Sequence, residues 1–161
     1  MMPAHTPSRP PLTPAPLLGH PAGAVLLVLA CTLPVLFLAT PPMIDVLGHT
    51  GRYALQTGLD AHPWWQQFYS FRWQVIGNLG ADLLVALVHP LLGLQASVRL
   101  AVVTVPLLTG SAIVLLSHTF HGRVTPFAAM ALALIYGLPF TWGFLNFSLA
   151  MAMALLAFWL W

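Results

Sequence analysis

Only eight side chains in this sequence of 161 residues carry a formal charge, five Arg and three Asp, with no Lys and no Glu. A soluble domain needs about a quarter of its residues charged to solvate its surface. Here 59% of the residues are apolar and the mean hydropathy is +0.87, which excludes an ordinary water-soluble domain and makes the lipid bilayer the expected partner. The expected fold is all-α, a polytopic bundle of about 4–5 transmembrane segments, because helices satisfy their own backbone groups in hydrocarbon. The net charge of +2 reflects scarce carboxylates rather than any basic cluster, so no nucleic-acid partner is expected. A single cysteine, Cys31, excludes a disulfide framework and a cysteine-rich zinc site.

Residues 1–21 hold seven prolines and one charge, Arg9, and read as a disordered tail. Residues 22–40 then run without a charge for 19 positions, close to the roughly 20 needed to span about 30 Å of hydrocarbon. They are expected to form a first membrane helix, kinked at Pro34. The competing reading is a secretory signal peptide with Arg9 in its n-region. The apolar run past Cys31 and the Pro41-Pro42 pair beyond Ala39 speak against cleavage.

Residues 41–74 hold four of the eight charges, Asp45, Arg52, Asp60 and Arg72, and form the expected external loop. Their second half interleaves Trp64, Trp65, Phe68, Tyr69, Phe71 and Trp73 with polar residues, as in the headgroup layer. A short interfacial helix after Asp60, with Pro63 in its first turn, is expected there. Further membrane segments are expected at about 75–94, 100–116, 126–139 and 144–161. Residues 127–138 amount to only about 18 Å of helix, so that segment spans with part of the next one or belongs to a broken hairpin. The apolar run continues to Trp161, so the sequence is expected to be the N-terminal piece of a larger protein. With the N-terminus cytoplasmic, Arg9 and Arg99 fall inside and Arg52, Arg72 and Arg123 outside, a count that the positive-inside rule does not favour.

Two constellations carry candidate chemistry. Asn78, Asp82 and His89 share a face if helical, since eleven residues return to within about 20° of the starting direction. That face is either the polar wall of a substrate cavity or interhelical hydrogen-bonding glue. Asp45, His49 and Arg52 follow the first helix at spacings of four and three. Beside a dehydrated cavity Asp45 would be a general base, and an Arg would hold a phosphate in bidentate fashion. Otherwise they are a solvated loop, with an ion pair contributing about 0–1 kcal/mol. Asp45, His49 and His62, or the pair His118 and His121, lack the spacing of a zinc site, so no metal and no cofactor are expected. Trp142-Gly143-Phe144 followed by Asn146-Phe147 places a glycine between aromatics at a helix break, where it permits close backbone approach.

The order of these pieces, Asp45, His49, Arg52 and Tyr53 after the first helix, Phe71-Arg72-Trp73, Asn78-x-x-x-Asp82, then Trp142 to Phe147, resembles large bacterial membrane proteins similar to the GT-C superfamily of lipid-linked-sugar glycosyltransferases. The resemblance covers residues 22–161. It implies a multi-pass protein of the cell inner (plasma) membrane that takes a sugar from a polyprenyl-phosphate donor. Asp45 would be the catalytic base, with Arg52 or Arg72 on the donor phosphate and His49, Asn78 and Asp82 completing the substrate site. The superfamily's loops often carry paired acids, whereas Asp45 has no acidic neighbour, which argues against a metal-dependent mechanism. The alternative is a non-catalytic membrane subunit or a transporter-like protein.

Overall fold

The computed structural model describes residues 19–38 and 40–161. The Pro-rich stretch expected to be a disordered tail therefore lies outside the described residues, apart from its last three. Among the described residues every regular element is helical.

Helix α1 spans Pro21–Phe37. His20 accepts a hydrogen bond from the Ala22 N–H at 3.2 Å, and Pro21 occupies the first turn, where its missing N–H has no partner to lose. Helix α2, Val46–Gly58, starts at Asp45 and buries Val46 and Tyr53. The interfacial helix expected after Asp60 is instead two 3-10 turns, Leu59–Ala61 and Trp65–Gln67. His62 separates them at φ −126°, ψ 82°, because the residue before a proline avoids the helical region.

Helix α3 covers Gly80–His121 and is broken at Gly93, whose φ of 74° and ψ of 172° no side-chain-bearing residue adopts without strain. The chain folds back there. The Leu149 side chain would stand 3.2 Å from a Cβ at Gly80, while its neighbour Ser148 lines a crevice with Val105. In an unbroken helix Gly80 and Val105 would be about 37 Å apart. Beyond α3, Thr125 caps α4, Pro126–Leu132, by accepting from the Ala128 N–H at 3.1 Å. A 3-10 turn, Ala133–Tyr136, leads to α5, Leu138–Trp142, and Gly143 reverses the chain into α6, Leu145–Leu160.

Four apolar stretches, α1, 94–121, 126–142 and α6, run alternately between two ends of a bundle. Near mid-height Val28 and Ile135 both approach Gly110, and the Tyr136 hydroxyl donates to the Cys31 carbonyl. At one end the Ile44 N–H donates to the Thr141 carbonyl at 2.9 Å, and Arg99 shares a crevice with Thr40 and Pro41. At the other end Val124 packs in one cluster with Ala24, and Trp159 donates to Thr119 at 2.9 Å. The larger core, around Tyr53, Val85, Val102, Phe140 and Leu145, lies towards the Asp45 end.

Three expectations need correction. The segment expected over 75–94 starts only at Gly80 and stops at Gly93, so its helical part is about 20 Å long and does not run the length of the bundle. Asn78 precedes the helix in a turn, so Asn78, Asp82 and His89 do not form one helical stripe. Arg99 lies at the Asp45 end and Arg123 at the opposite one, the reverse of the expected assignment, because the fold-back at Gly93 uses up a turn that the sequence reading treated as a crossing. By length and composition α3 is the one helix among the described residues able to cross a bilayer; Pro21–Phe37, Pro126–Trp142 and Leu145–Leu160 are apolar but shorter.

Candidate functional site

The site is assembled where the start of α2 meets the break between α5 and α6. Asp45 ends the link from α1, and the next two turns of α2 carry His49 and Arg52 on the same side. The Asp45 carboxylate leans over Gly48, its Oδ1 only 2.6 Å from where a Cβ would stand. Gly143, at φ 95°, meets the backbone of Asp45: a Cβ on Gly143 would lie 2.8 Å from the Asp45 Cβ and 2.9 Å from its nitrogen. The glycine between aromatics thus permits the close approach its position suggested. His49 seals the junction, its Nε2 lying 2.8 Å from the Gly143 carbonyl oxygen. A carbonyl only accepts, so Nε2 carries a proton, and in the neutral imidazole Nδ1 is the acceptor.

These contacts frame a cavity of about 600 Å³, with Asp45, His49, Arg52 and Asn78 on one wall and Gly143 and Asn146 on the other. Four of the six residues singled out from the sequence line it. Asp45 is 62% exposed, so it meets water at the cavity mouth rather than the dehydrated surroundings expected for it. Its Oδ2 is 3.7 Å from His49 Nε2.

Asp82 lies behind this wall, 1% exposed. Arg52 Nη2 donates to its Oδ2 at 2.7 Å, Gln56 Nε2 to its Oδ1 at 2.5 Å, and Asn146 Nδ2 reaches Oδ2 at 3.5 Å. The other end of the Asn146 amide accepts the Ala81 N–H at 2.8 Å, satisfying a donor that the first turn of α3 cannot satisfy itself. Asp82 also sits in that first turn, where the helix dipole favours a negative charge. Of its two sequence readings, interhelical glue is the one whose contacts are present. Tyr53, fully buried beside this network, has its phenol pushed above the usual tyrosine range by burial and by the Asp82 charge, while the Arg52 guanidinium opposes the shift.

Arg72 does not line the cavity; it is exposed on the irregular chain that follows the second 3-10 turn. His62 packs instead on Trp65, with ring centroids 4.2 Å apart. Among the described residues no three His, Cys, Asp or Glu side chains are grouped as metal ligands would be. Gln56 was not singled out from the sequence, and its only signal is its place one turn after Arg52 on the same helix. Asn146 entered the sequence reading as part of the Trp142–Phe147 motif, and it serves the start of another helix, accepting the Ala81 N–H 65 residues away. No family model, curated protein or solved structure matches this chain.

Proposed function

We propose that this is a multi-pass protein of the cell inner membrane that transfers a sugar from a polyprenyl-phosphate donor in the manner of GT-C glycosyltransferases. The observation that carries the reading is the convergence of Asp45, His49, Arg52 and Asn78 with Gly143 and Asn146 around one cavity. Membrane residence is supported by the outward Val25, Leu26, Leu29, Leu33 and Leu36 of α1, all exposed, and by the same character along 126–142 and α6. On this reading α1, 94–121, 126–142 and α6 each cross the bilayer and the cavity opens at its outer boundary, a topology supported by the alternating run of these four apolar stretches between the two ends of the bundle.

In the reaction an acceptor hydroxyl oxygen attacks the anomeric carbon, and the bond from that carbon to the phosphate oxygen breaks. Polyprenyl phosphate leaves with the electron pair. Asp45 takes the hydroxyl proton, and the anomeric centre inverts. His49, held by Gly143, presents Nδ1 as a second acceptor. Arg52 already answers Asp82, so the donor phosphate meets only the free edge of its guanidinium fork; Arg72, outside the cavity lining, does not share that contact.

Release of polyprenyl phosphate from labelled polyprenyl-phosphate hexoses, with the chain reconstituted in vesicles, tests the reading. Asp45→Asn should lower the rate by about 10²–10⁴-fold, the usual contribution of a general base. Equal rates for the two proteins, or no release by either, would overturn it. The second reading, a non-catalytic or transporter-like membrane protein, draws on the satisfied Asp82 network, which braces the cavity wall without requiring chemistry; binding without release by the wild-type chain would favour it.

A further inference from the structure

On the other side of Arg52 lies a second groove of about 530 Å³, inside the roughly 300–1,000 Å³ usual for small-ligand sites. Its floor is the helix face bearing Gly48 and Gly51, and its walls include Trp64, Trp65 and Tyr69. A Cβ on Gly51 would meet nothing within 4 Å, so the floor is open backbone there, while the Asp45 carboxylate leans over Gly48. Trp64 and Trp65 stand edge to face, 5.8 Å apart and 78° between planes, which gives the groove two flat surfaces set at a right angle.

We propose that this groove binds a neutral saccharide ring. A pyranose has faces of C–H groups and an edge of hydroxyls, which suits a wall of flat rings whose rims carry indole N–H and phenol O–H groups. Ala54, Leu55 and Phe68 add apolar surface to the lining, but an acyl chain also asks for a position along the bundle, whereas this groove is formed outside the four long apolar stretches. An anionic ligand would have to share Arg52, the cation lining the groove, with Asp82, whereas a neutral ring makes no call on it. Arg52 borders both this groove and the polar cavity, so a saccharide held here lies next to Asp45 and His49. The inference requires saccharide binding and not turnover, so it stands apart from the transfer reaction.

The test is saturation-transfer NMR with maltotriose, cellotriose and mannotriose on the full chain in phosphatidylcholine nanodiscs. The expected result is transfer to ring C–H protons of at least one trisaccharide. Trp64→Ala should weaken its binding at least tenfold. Gly51→Leu should do the same by filling the floor, and since leucine favours helix over glycine, α2 should keep its circular dichroism. His121→Ala, an exposed position at the far end of the bundle, should leave saccharide affinity within twofold. Absence of any trisaccharide signal with the folded wild-type chain, or a signal unchanged in both groove variants, overturns the proposal. So does quenching by brominated acyl chains that disappears in Trp64→Phe, since lipid would then fill the groove.

Discussion

Asp82 shows how one charge can organise a nearly uncharged molecule. It is almost wholly buried, and its two oxygens draw Arg52 and Gln56 from α2 and Asn146 from α6 onto the start of α3. Removing one partner of such a pair costs about 3–5 kcal/mol when both are buried. Arg52 is 37% exposed, so water relieves part of the penalty, and Asp82→Leu should cost roughly 2–4 kcal/mol in a detergent melt. The double variant Asp82→Leu with Arg52→Met should recover part of that loss, because no charge is then left without its partner. Gly143→Ala tests the neighbouring junction: its positive φ alone carries about 1–3 kcal/mol of strain, and the added methyl overlaps Asp45. The melt should fall, and Asp45 and His49 should lose their register. Tyr53 gives a pH signature. Its pKa is raised in the folded state, so its contribution is complete below the unfolded value of about 10 and is lost as pH rises through the higher folded value. Melting temperatures should therefore drop above about pH 10, and less steeply in Tyr53→Phe.

At the scale of elements, what was legible in the sequence was whatever local chemistry decides. The starts expected at residues 22, 126 and 144 fall within one residue of Pro21, Pro126 and Leu145, where α1, α4 and α6 begin. The spacing Asp45, His49, Arg52 describes a real helical face even though Gly48 and Gly51 weaken its propensity, because the buried Val46 and Tyr53, on the adjoining face, anchor α2 in the core. The elements that were not legible are those set by distant partners. Val75 and Ile76 are apolar enough to begin a helix, but both are exposed, and α3 begins where Asn146, far away in sequence, can receive the Ala81 N–H. The segment end expected at about 94 falls beside Gly93, but nothing local shows that the helix before it starts only at Gly80 and folds back against the one that follows. Two alanine substitutions separate the roles of exposed glycines. Gly93→Ala should destabilise by about 1–3 kcal/mol, because its backbone conformation is open to glycine alone. Gly51→Ala, in regular helix with open space around it, should stabilise by up to about 1 kcal/mol. Thermal melts of the two variants in one detergent should move in opposite directions.

For the whole molecule, the fold-back at Gly93 decides at which end of the bundle each polar segment lies, and hence on which side of the membrane the proposed topology puts it. Counting 75–94 as a crossing puts Arg99 opposite the loop 41–74 and Arg123 beside it. The packing does the reverse, since Arg99 shares a crevice with Thr40 and Pro41 while Val124 joins Ala24 at the far end. The distinction bears on chemistry, because it sets whether Gln95 and Arg99 share an aqueous compartment with the Asp45 cavity. Cys31 is the one cysteine in the sequence, so Cys31→Ser gives a clean background for single-cysteine labelling. Ser70→Cys, Gln95→Cys and His121→Cys all fall at exposed positions. In sealed vesicles a membrane-impermeant thiol reagent should modify Ser70→Cys and Gln95→Cys together, with His121→Cys reacting only after the vesicles are opened, or the converse if the vesicles are inverted. Labelling of Ser70→Cys together with His121→Cys, and not with Gln95→Cys, would mean that 75–94 does cross the bilayer. The cavity would then be reached from the side opposite to Arg99, and the crossings assigned to 94–121 and 126–142 would have to be redrawn.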